Sequence, residues 1–311
     1  MVRIIGFFIG LGFVGVLLIS LVVNGVDSIK NPSTEPVEEQ FHQEPGTFAL
    51  ASNGPLGKFD RQQLQRGFQV YKEVCAACHS LKYVSFYQMS DLGYEEAEVK
   101  AIATQWPIEV PSVNPDTGEA STRKALVSDR FPSPYLNETA ARAANNNALP
   151  PDLSLINEAR EGGADYVHAL LTGYRDAAKF RNAEGTPVPA ANRPGTGLYF
   201  NPWFANLNIA MPPPLVSDGQ VTYADGTKAT VEQMSQDVSA FLVWTAEPTL
   251  ENRLRAGWAV LIFLSIATLL AYLAYRNIWA NAKREVGVRG PLDPKNRERM
   301  DEQKADSGIA G

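Results

Sequence analysis

The sequence of 311 residues predicts an all-α protein with an apolar helix near each end. Two stretches of 20 residues, 4–23 and 256–275, contain no charged residue, and each can span a hydrocarbon core of about 30 Å. Between them, apolar residues recur every three or four positions in several short segments, which is the spacing of an amphipathic helix. Alternating β-branched residues are scarce, and long stretches rich in proline and glycine separate the helices.

The N-terminal part of the chain combines an apolar segment with a polar connection. The apolar run is longer than the hydrophobic region of a secretory signal, which has about 7–15 residues. We therefore interpret residues 1–25 as a retained signal-anchor, with a cleaved signal peptide as the alternative, and both would export the segment that follows. Residues 26–57 are rich in proline, glutamate and serine and are predicted to be a linker. The start lacks an Arg- and Ser-rich presequence, which favours a bacterial origin.

The central region, residues 58–250, is predicted to form one exported helical domain. Asp60 is a suitable cap for a helix whose apolar positions include Leu64 and Phe68. Further helices are expected at 94–104, 137–144, 164–173 and, after a cap at Thr230, 231–247. Proline-rich segments between them, 105–137 and 182–220, are predicted to be long loops.

The second apolar stretch is predicted to be a transmembrane helix at 254–279. Aromatic residues flank it as in the belts found at membrane interfaces: Trp258, Tyr272, Tyr275 and Trp279. More Lys and Arg residues follow the span than precede it, so the tail, 280–311, is expected to be cytoplasmic. The central domain would then lie on the periplasmic side of a bacterial inner membrane.

The charge of the chain is unevenly distributed. Residues 24–252 contain 17 Lys and Arg against 28 Asp and Glu, a net charge of −11, whereas the whole chain carries −6. Such a field speeds the encounter with a basic protein partner and argues against a nucleic-acid ligand.

One short motif carries the chemistry of this sequence. Cys75, Cys78 and His79 match the C-x-x-C-H pattern of covalent haem attachment. On one helical turn the two thiols face the same way and can each form a thioether to one porphyrin, while the imidazole reaches the iron. The chain has only these two cysteines, so a four-ligand zinc cluster lacks partners. A thioredoxin-like site would need a βαβ unit, which is not visible. The motif therefore predicts one covalent haem c.

The second iron ligand separates an electron carrier from a catalyst with an open site. Two other histidines are candidates: His42 lies in the polar linker, and His168 lies on a predicted helix. Met234 lies on the apolar face of a predicted helix, so it is expected to pack in the core. Met89 follows the motif too closely to reach round the ring. Met211 is the favoured ligand, because it precedes three prolines that stiffen its loop. A histidine–methionine pair raises the potential and leaves no vacant position.

Several blocks of this sequence resemble the cytochrome c1 family of the quinol:cytochrome c oxidoreductase, or cytochrome bc1 complex. The blocks lie in the same order as in that family, at residues 63–79, 141–154, 161–174, 197–204, 209–214 and 237–248. The resemblance implies a class I cytochrome c-like haem domain with long loop insertions and transmembrane anchor helices. Segment 105–137 varies in length in such proteins, and a second, N-terminal membrane helix would be unusual.

The resemblance also assigns site residues. It implies thioethers at Cys75 and Cys78 and axial iron ligands at His79 and Met211. It further implies that the haem edge is lined by Asn145, Pro150 and Pro151. By the same resemblance, Arg160 would pair with a propionate and Tyr166 would lie near the haem. From the residues alone, Arg160 suits a propionate because a guanidinium binds a carboxylate bidentately. A solvent-facing role for Arg160, and a core or loop role for the tyrosine and prolines, remain alternatives.

As the resemblance implies, the protein would be a one-electron carrier that is not catalytic alone. It would accept an electron from a Rieske iron–sulfur protein and pass it to a soluble c-type cytochrome, while its last span packs against a cytochrome b subunit. One alternative is a membrane-tethered monohaem cytochrome c of a terminal oxidase. Another is a c-haem peroxidase or sensor with an open distal site.

Overall fold

The computed structural model describes residues 2–31, 35–286, 298, 299, 301 and 302. As predicted, the structure is helix-rich. Its helices are α1 Val2–Lys30, α2 Val37–Phe41, α3 Arg61–Val70, α4 Glu96–Thr104, α5 Glu138–Ala144, α6 Ile156–Ala159, α7 Gly163–Thr172, α8 Val231–Ala246 and α9 Leu250–Val286. A π turn spans Tyr71–Cys75, and 3-10 turns span Phe86–Leu92 and Ala190–Asn192. Two short antiparallel hairpins pair β1 Val110–Val113 with β2 Ala120–Arg123, and β3 Tyr199–Phe200 with β4 Asn208–Ile209.

The chain divides into two compact units. One comprises residues up to 53 together with 58–248, and the other comprises 54–57 together with the residues from 249 onward. The first unit contains the whole predicted haem-attachment motif, and the second contains α9.

The first unit is built around the crossing of α3 and α8. Asp60 caps α3 by accepting hydrogen bonds from two backbone N–H groups, as predicted. Gly67 lets the helices approach closely, because a Cβ at this position would lie 2.7 Å from Cβ of Phe241. Arg66 Nε donates to the fully buried carboxylate of Asp237 at 3.0 Å. This crossing fixes the helix that leads into the cysteine motif.

Residues 35–53 pack within the first unit, although their composition predicts a linker. Phe41 at the end of α2 is 1% exposed and lies in a cluster with Ala177, Val188, Phe200 and Leu207. The backbone N–H of Gln43 donates to the carbonyl of Pro202 at 2.8 Å. Leu50 is buried as well, and two apolar residues so far apart produce no periodic pattern in a sequence.

The predicted loop 105–137 contains a hairpin that the sequence analysis does not anticipate. Val110 pairs with Arg123 and Val113 with Ala120 in the register of β1 and β2. A turn at Asp116-Thr117-Gly118 connects the two strands. Each strand has only four residues and one includes a proline, so neither shows the alternation that marks a strand.

Both predicted spans are helical. α1 and the part of α9 from Leu250 to Ala280 are long and apolar enough to cross a membrane, by length and composition. None of the residues Val2–Lys30 is buried. Within the second unit, the indole of Trp258 donates to the carbonyl of Pro55 at 2.8 Å. Most of the predicted cytoplasmic tail, 280–311, lies outside the described residues.

Candidate haem site

The cysteine motif begins where α3 widens into a single π turn. The N–H of Ala76 donates to the carbonyl of Tyr71 at 2.8 Å, which is the bond that closes this turn. His79 N–H then donates to the carbonyl of Cys75 at 2.9 Å, so the motif ends in a hydrogen-bonded turn. Such π turns occur often at functional sites. Both cysteines are free and partly buried, and burial raises the pKa of the Cys75 thiol to about 12.

The imidazole of His79 is held by a backbone carbonyl. Its Nδ1 lies 2.8 Å from the carbonyl oxygen of Pro151. Because a carbonyl only accepts hydrogen bonds, Nδ1 carries the proton, and the lone pair of Nε2 is left for a metal. Burial lowers the pKa of His79, which favours the neutral imidazole that binds iron. A histidine oriented through its second nitrogen is typical of metal ligands.

Asp152 fastens the segment after His79 to the segment that carries Pro151. Its carboxylate accepts from the hydroxyl of Ser80 at 2.7 Å and from the N–H of Lys82 at 2.9 Å. It also accepts from the N–H of Ser154 at 3.0 Å. These bonds fix the carbonyl of Pro151 opposite the imidazole. No local sequence pattern indicates this contact, because Asp152 and Ser80 are 72 residues apart in the chain.

A second set of contacts joins Cys78 to Asn145. The amide of Asn145 donates to the hydroxyl of Tyr135 at 2.9 Å and to the carbonyl of Ala141 at 2.7 Å. The phenol of Tyr135 also interacts with the thiol of Cys78. Asn145 therefore lies one side chain away from the motif, and the sequence analysis does not identify Tyr135 as the link. Nothing in the local sequence pattern singles out this tyrosine.

The candidates for the second axial ligand occupy different environments. Met89 and Met234 are fully buried and serve as core residues. His168 has both ring nitrogens engaged, with Ser235 Oγ at 2.9 Å and Glu232 Oε1 at 3.2 Å. Met211 is partly buried, lies two residues after β4, and its carbonyl accepts from the hydroxyl of Tyr174 at 3.0 Å.

The remaining histidine candidate, His42, directly follows α2. Its Nδ1 is buried and has no hydrogen-bond partner among the residues that the structure describes. His42 belongs to the segment 35–53, which contacts the hairpin region through Gln43. Met211 remains the ligand that the sequence predicts, because a proline-rich loop can hold its thioether in a fixed position.

Of the other predicted site residues, Arg160 and Tyr166 contact each other in the structure. Arg160 is exposed and its guanidinium interacts with the partly buried phenol of Tyr166. Burial raises the pKa of Tyr166, and the positive charge of Arg160 opposes this rise. Pro150 is partly buried and Pro151 is exposed. The contacts thus form two groups: Cys75, Cys78, His79, Asn145 and Pro151 in one, and Met211 and Tyr166, with Tyr174 between them, in the other.

This donor set fits a covalent haem. It offers two free thiols three residues apart, a neutral imidazole with an unprotonated Nε2, and a soft thioether on a loop stiffened by proline. A helix-rich protein with two apolar helices and such a site belongs to the class of membrane-anchored c-type cytochromes.

Comparison with known proteins identifies the family. The sequence model of the Cytochrome C1 family matches residues 50–282. The chain is 41% identical to "Cytochrome c1 1, heme protein, mitochondrial" of Arabidopsis thaliana over 274 residues, 88% of this chain and 85% of that protein. It is 42% identical to cytochrome c1 of Rhodospirillum rubrum over 236 residues, 74% of this chain and 85% of that protein. This chain therefore belongs to the cytochrome c1 family.

A further relative is longer than this chain. The chain is 45% identical over 251 residues to a protein of Bradyrhizobium diazoefficiens named "Cytochrome b/c1". The match includes 74% of this chain and 34% of that protein, so the chain corresponds to about a third of its length.

Proposed function

We propose that this chain is the haem-carrying electron-transfer subunit of a cytochrome bc1 complex. The observation that carries the proposal is the hydrogen bond from His79 Nδ1 to Pro151, directly beside the two free thiols. It presents Nε2 as an iron ligand at the place where the C-x-x-C-H motif requires one. Family membership supports the same function over a tethered oxidase carrier, a peroxidase or a sensor.

Four side chains are proposed to hold the haem. Cys75 and Cys78 would form the two thioethers, while His79 and Met211 would be the side chains that bind the iron. When bound, the haem supplies one iron that accepts and releases a single electron. With two protein side chains on the iron, no external ligand would have to bind or leave during transfer.

The polar and proline residues have separate roles at the haem edge. Asn145, Pro150 and Pro151 line the edge, and Arg160 pairs with a propionate through its guanidinium. Tyr166 lies beside Arg160 and orders it, which the interaction between the two side chains supports. The exposure of Arg160 suits a propionate at the rim of the site rather than in the core.

Family membership and the charge distribution support the proposed partners and orientation. A reduced Rieske iron–sulfur protein delivers the electron, a soluble c-type cytochrome receives it, and α9 packs against a cytochrome b subunit in the lipid bilayer. The haem domain, 58–250, faces the periplasm of a bacterial inner membrane. The tail, 280–311, is cytoplasmic, as the excess of Lys and Arg after the span favours.

Purification of the full chain from membranes in a mild detergent tests the function. We expect covalent haem that survives denaturation, b-type haems and a Rieske cluster in the same complex, and a ferrous c-type spectrum that carbon monoxide leaves unchanged. A Cys75→Ala and Cys78→Ala variant is the control without covalent haem. A colourless wild-type polypeptide, or a ferrous centre that binds carbon monoxide readily, would exclude a six-coordinate electron carrier.

A further inference from the structure

The hydroxyl of Tyr174 contacts the backbone of the proposed iron ligand. Its oxygen lies 3.0 Å from the carbonyl oxygen of Met211, across 37 residues of sequence. Tyr174 follows the end of α7, while Met211 stands between β4 and a run of three prolines. The bond therefore joins two segments that are separate in the chain.

The loop after Met211 has few means of holding its own shape by hydrogen bonds. Pro212, Pro213 and Pro214 have no N–H group and cannot donate to any carbonyl. Side chains supply the missing donors at both ends of this run. Gln220 Nε2 donates to the carbonyl of Pro214 at 2.8 Å, and Tyr174 donates to the carbonyl of Met211. Tyr174 is thus the side chain that fixes the main chain at the proposed ligand.

The end of α7 provides a rigid base for Tyr174. A Cβ at Gly173 would lie 2.8 Å from Cζ3 of Trp203, so this turn packs directly on the indole ring. The amide of Asn201 donates to the carbonyl of Leu170 at 2.8 Å. On the other side, the N–H of Arg175 donates to the carbonyl of Phe200 at 3.2 Å. Tyr174 is thus fixed against the β3–β4 hairpin that leads to Met211.

The phenol of Tyr174 is the donor in this hydrogen bond. Because a carbonyl only accepts, loss of this hydroxyl leaves the Met211 carbonyl without its tyrosine donor.

We infer that Tyr174 is a positioning residue that holds the Met211 thioether against the iron. The inference rests on the proposed function, because it assumes that Met211 is the axial ligand. The hydroxyl fixes the main chain of Met211 and thereby limits how often the thioether leaves. Without it, an external ligand competes more easily for the sixth position.

The test is a titration of the ferric full-length protein with imidazole, followed through its visible spectrum. Tyr174→Phe is expected to raise the apparent imidazole affinity about fivefold, the factor that corresponds to one hydrogen bond of ordinary strength. Tyr199→Phe is the matched control, because it removes a neighbouring phenol hydroxyl from β3 and should leave the affinity unchanged. An equal response of both variants, or no response of Tyr174→Phe, overturns the inference.

A second measurement separates positioning from folding and from the proposed function. In a Met211→Leu background the thioether is already absent, so adding Tyr174→Phe should change the imidazole affinity by less than twofold, about the scatter of independent sites. A fivefold change in that background, or a Tyr174→Phe protein without covalent haem, contradicts the positioning role. If wild-type protein and Met211→Leu bind imidazole equally, the proposed axial ligand itself is wrong.

Discussion

The tautomer of His79 decides which of its nitrogens is available to iron. The C-x-x-C-H spacing predicts that an imidazole follows the two thiols, but it does not predict the orientation of the ring. That orientation comes from the carbonyl of Pro151, which lies 72 residues further along the chain. Asp152 then holds this carbonyl in place through its bonds to Ser80 and Lys82. The ligand is a local motif, whereas its geometry is a tertiary property.

Met211→Leu should lower the midpoint potential by on the order of hundreds of millivolts, because axial ligands set the haem potential over a range of about 0.8 V. The haem should stay attached, since Cys75 and Cys78 are unaltered. Redox titration of the purified protein measures the shift, and a haem stain after denaturation verifies attachment. Met234→Leu changes a fully buried core methionine and should leave the potential in place. A shift of similar size in Met234→Leu would argue against a specific role for Met211.

Asp152→Asn should destabilise the folded protein by about 1–3 kcal/mol. The carboxylate accepts three hydrogen bonds, and an amide would turn an N–H₂ group towards at least one of those donors. Thermal unfolding of the haem-loaded protein measures the loss. Asp116→Asn removes the same charge from an exposed turn and is the matched control. Equal melting temperatures for wild type and Asp152→Asn would show that the hydrogen bonds of Asp152 do not stabilise the folded protein.

Among the elements, the crossing of α3 and α8 depends on the absence of a side chain at Gly67. Gly67→Ala would place a Cβ against the backbone carbonyl of Asp237 and 2.7 Å from Cβ of Phe241. Backbone atoms cannot move aside as a flexible side chain can, so the helices must separate, at a cost of about 1–3 kcal/mol. Chemical unfolding measures this loss of stability.

A glycine in open space provides the comparison for this variant. Gly195 lies in the loop before β3, and a Cβ at this position would meet no atom within 4 Å. Gly195→Ala should therefore unfold at the same denaturant concentration as wild type, to within about 0.5 kcal/mol. If Gly67→Ala proves as stable as Gly195→Ala, close helix packing is not what fixes α3.

The sequence predicts long periodic elements well and isolated anchors poorly. The caps at Asp60 and Thr230 locate the starts of α3 and α8, because each has an oxygen that accepts from the first turn. Phe41 and Leu50 are the buried apolar residues of segment 35–53, and they stand too far apart among prolines and glutamates to produce a period. Strands β1 and β2 are too short to show an alternation of apolar and polar residues. The Tyr174–Met211 contact also escapes prediction, because it depends on how two distant loops meet.

At the scale of the whole molecule, charge is segregated along the chain. Residues 24–252 carry a net charge of −11, while the whole chain carries −6, so the remaining residues are positive on balance. In the proposed topology the acidic part includes the haem domain and faces the periplasm. Four glutamates of this part, at positions 35, 38, 39 and 44, are exposed on the segment that packs beside the β3–β4 hairpin. This distribution favours encounter with a basic electron acceptor.

Electron transfer from the reduced full-length protein to a basic soluble c-type cytochrome should slow as ionic strength rises. Opposite charges attract over about 10 Å at 0.1 M salt, and added salt shortens this range and removes the steering. Stopped-flow oxidation at several salt concentrations measures the rate. An acidic cytochrome is the control, and its rate should rise with salt because the same screening relieves repulsion. A rate that does not depend on salt for either acceptor would mean that the acidic surface lies away from the path of the partner, and that docking relies on apolar contact near the haem edge.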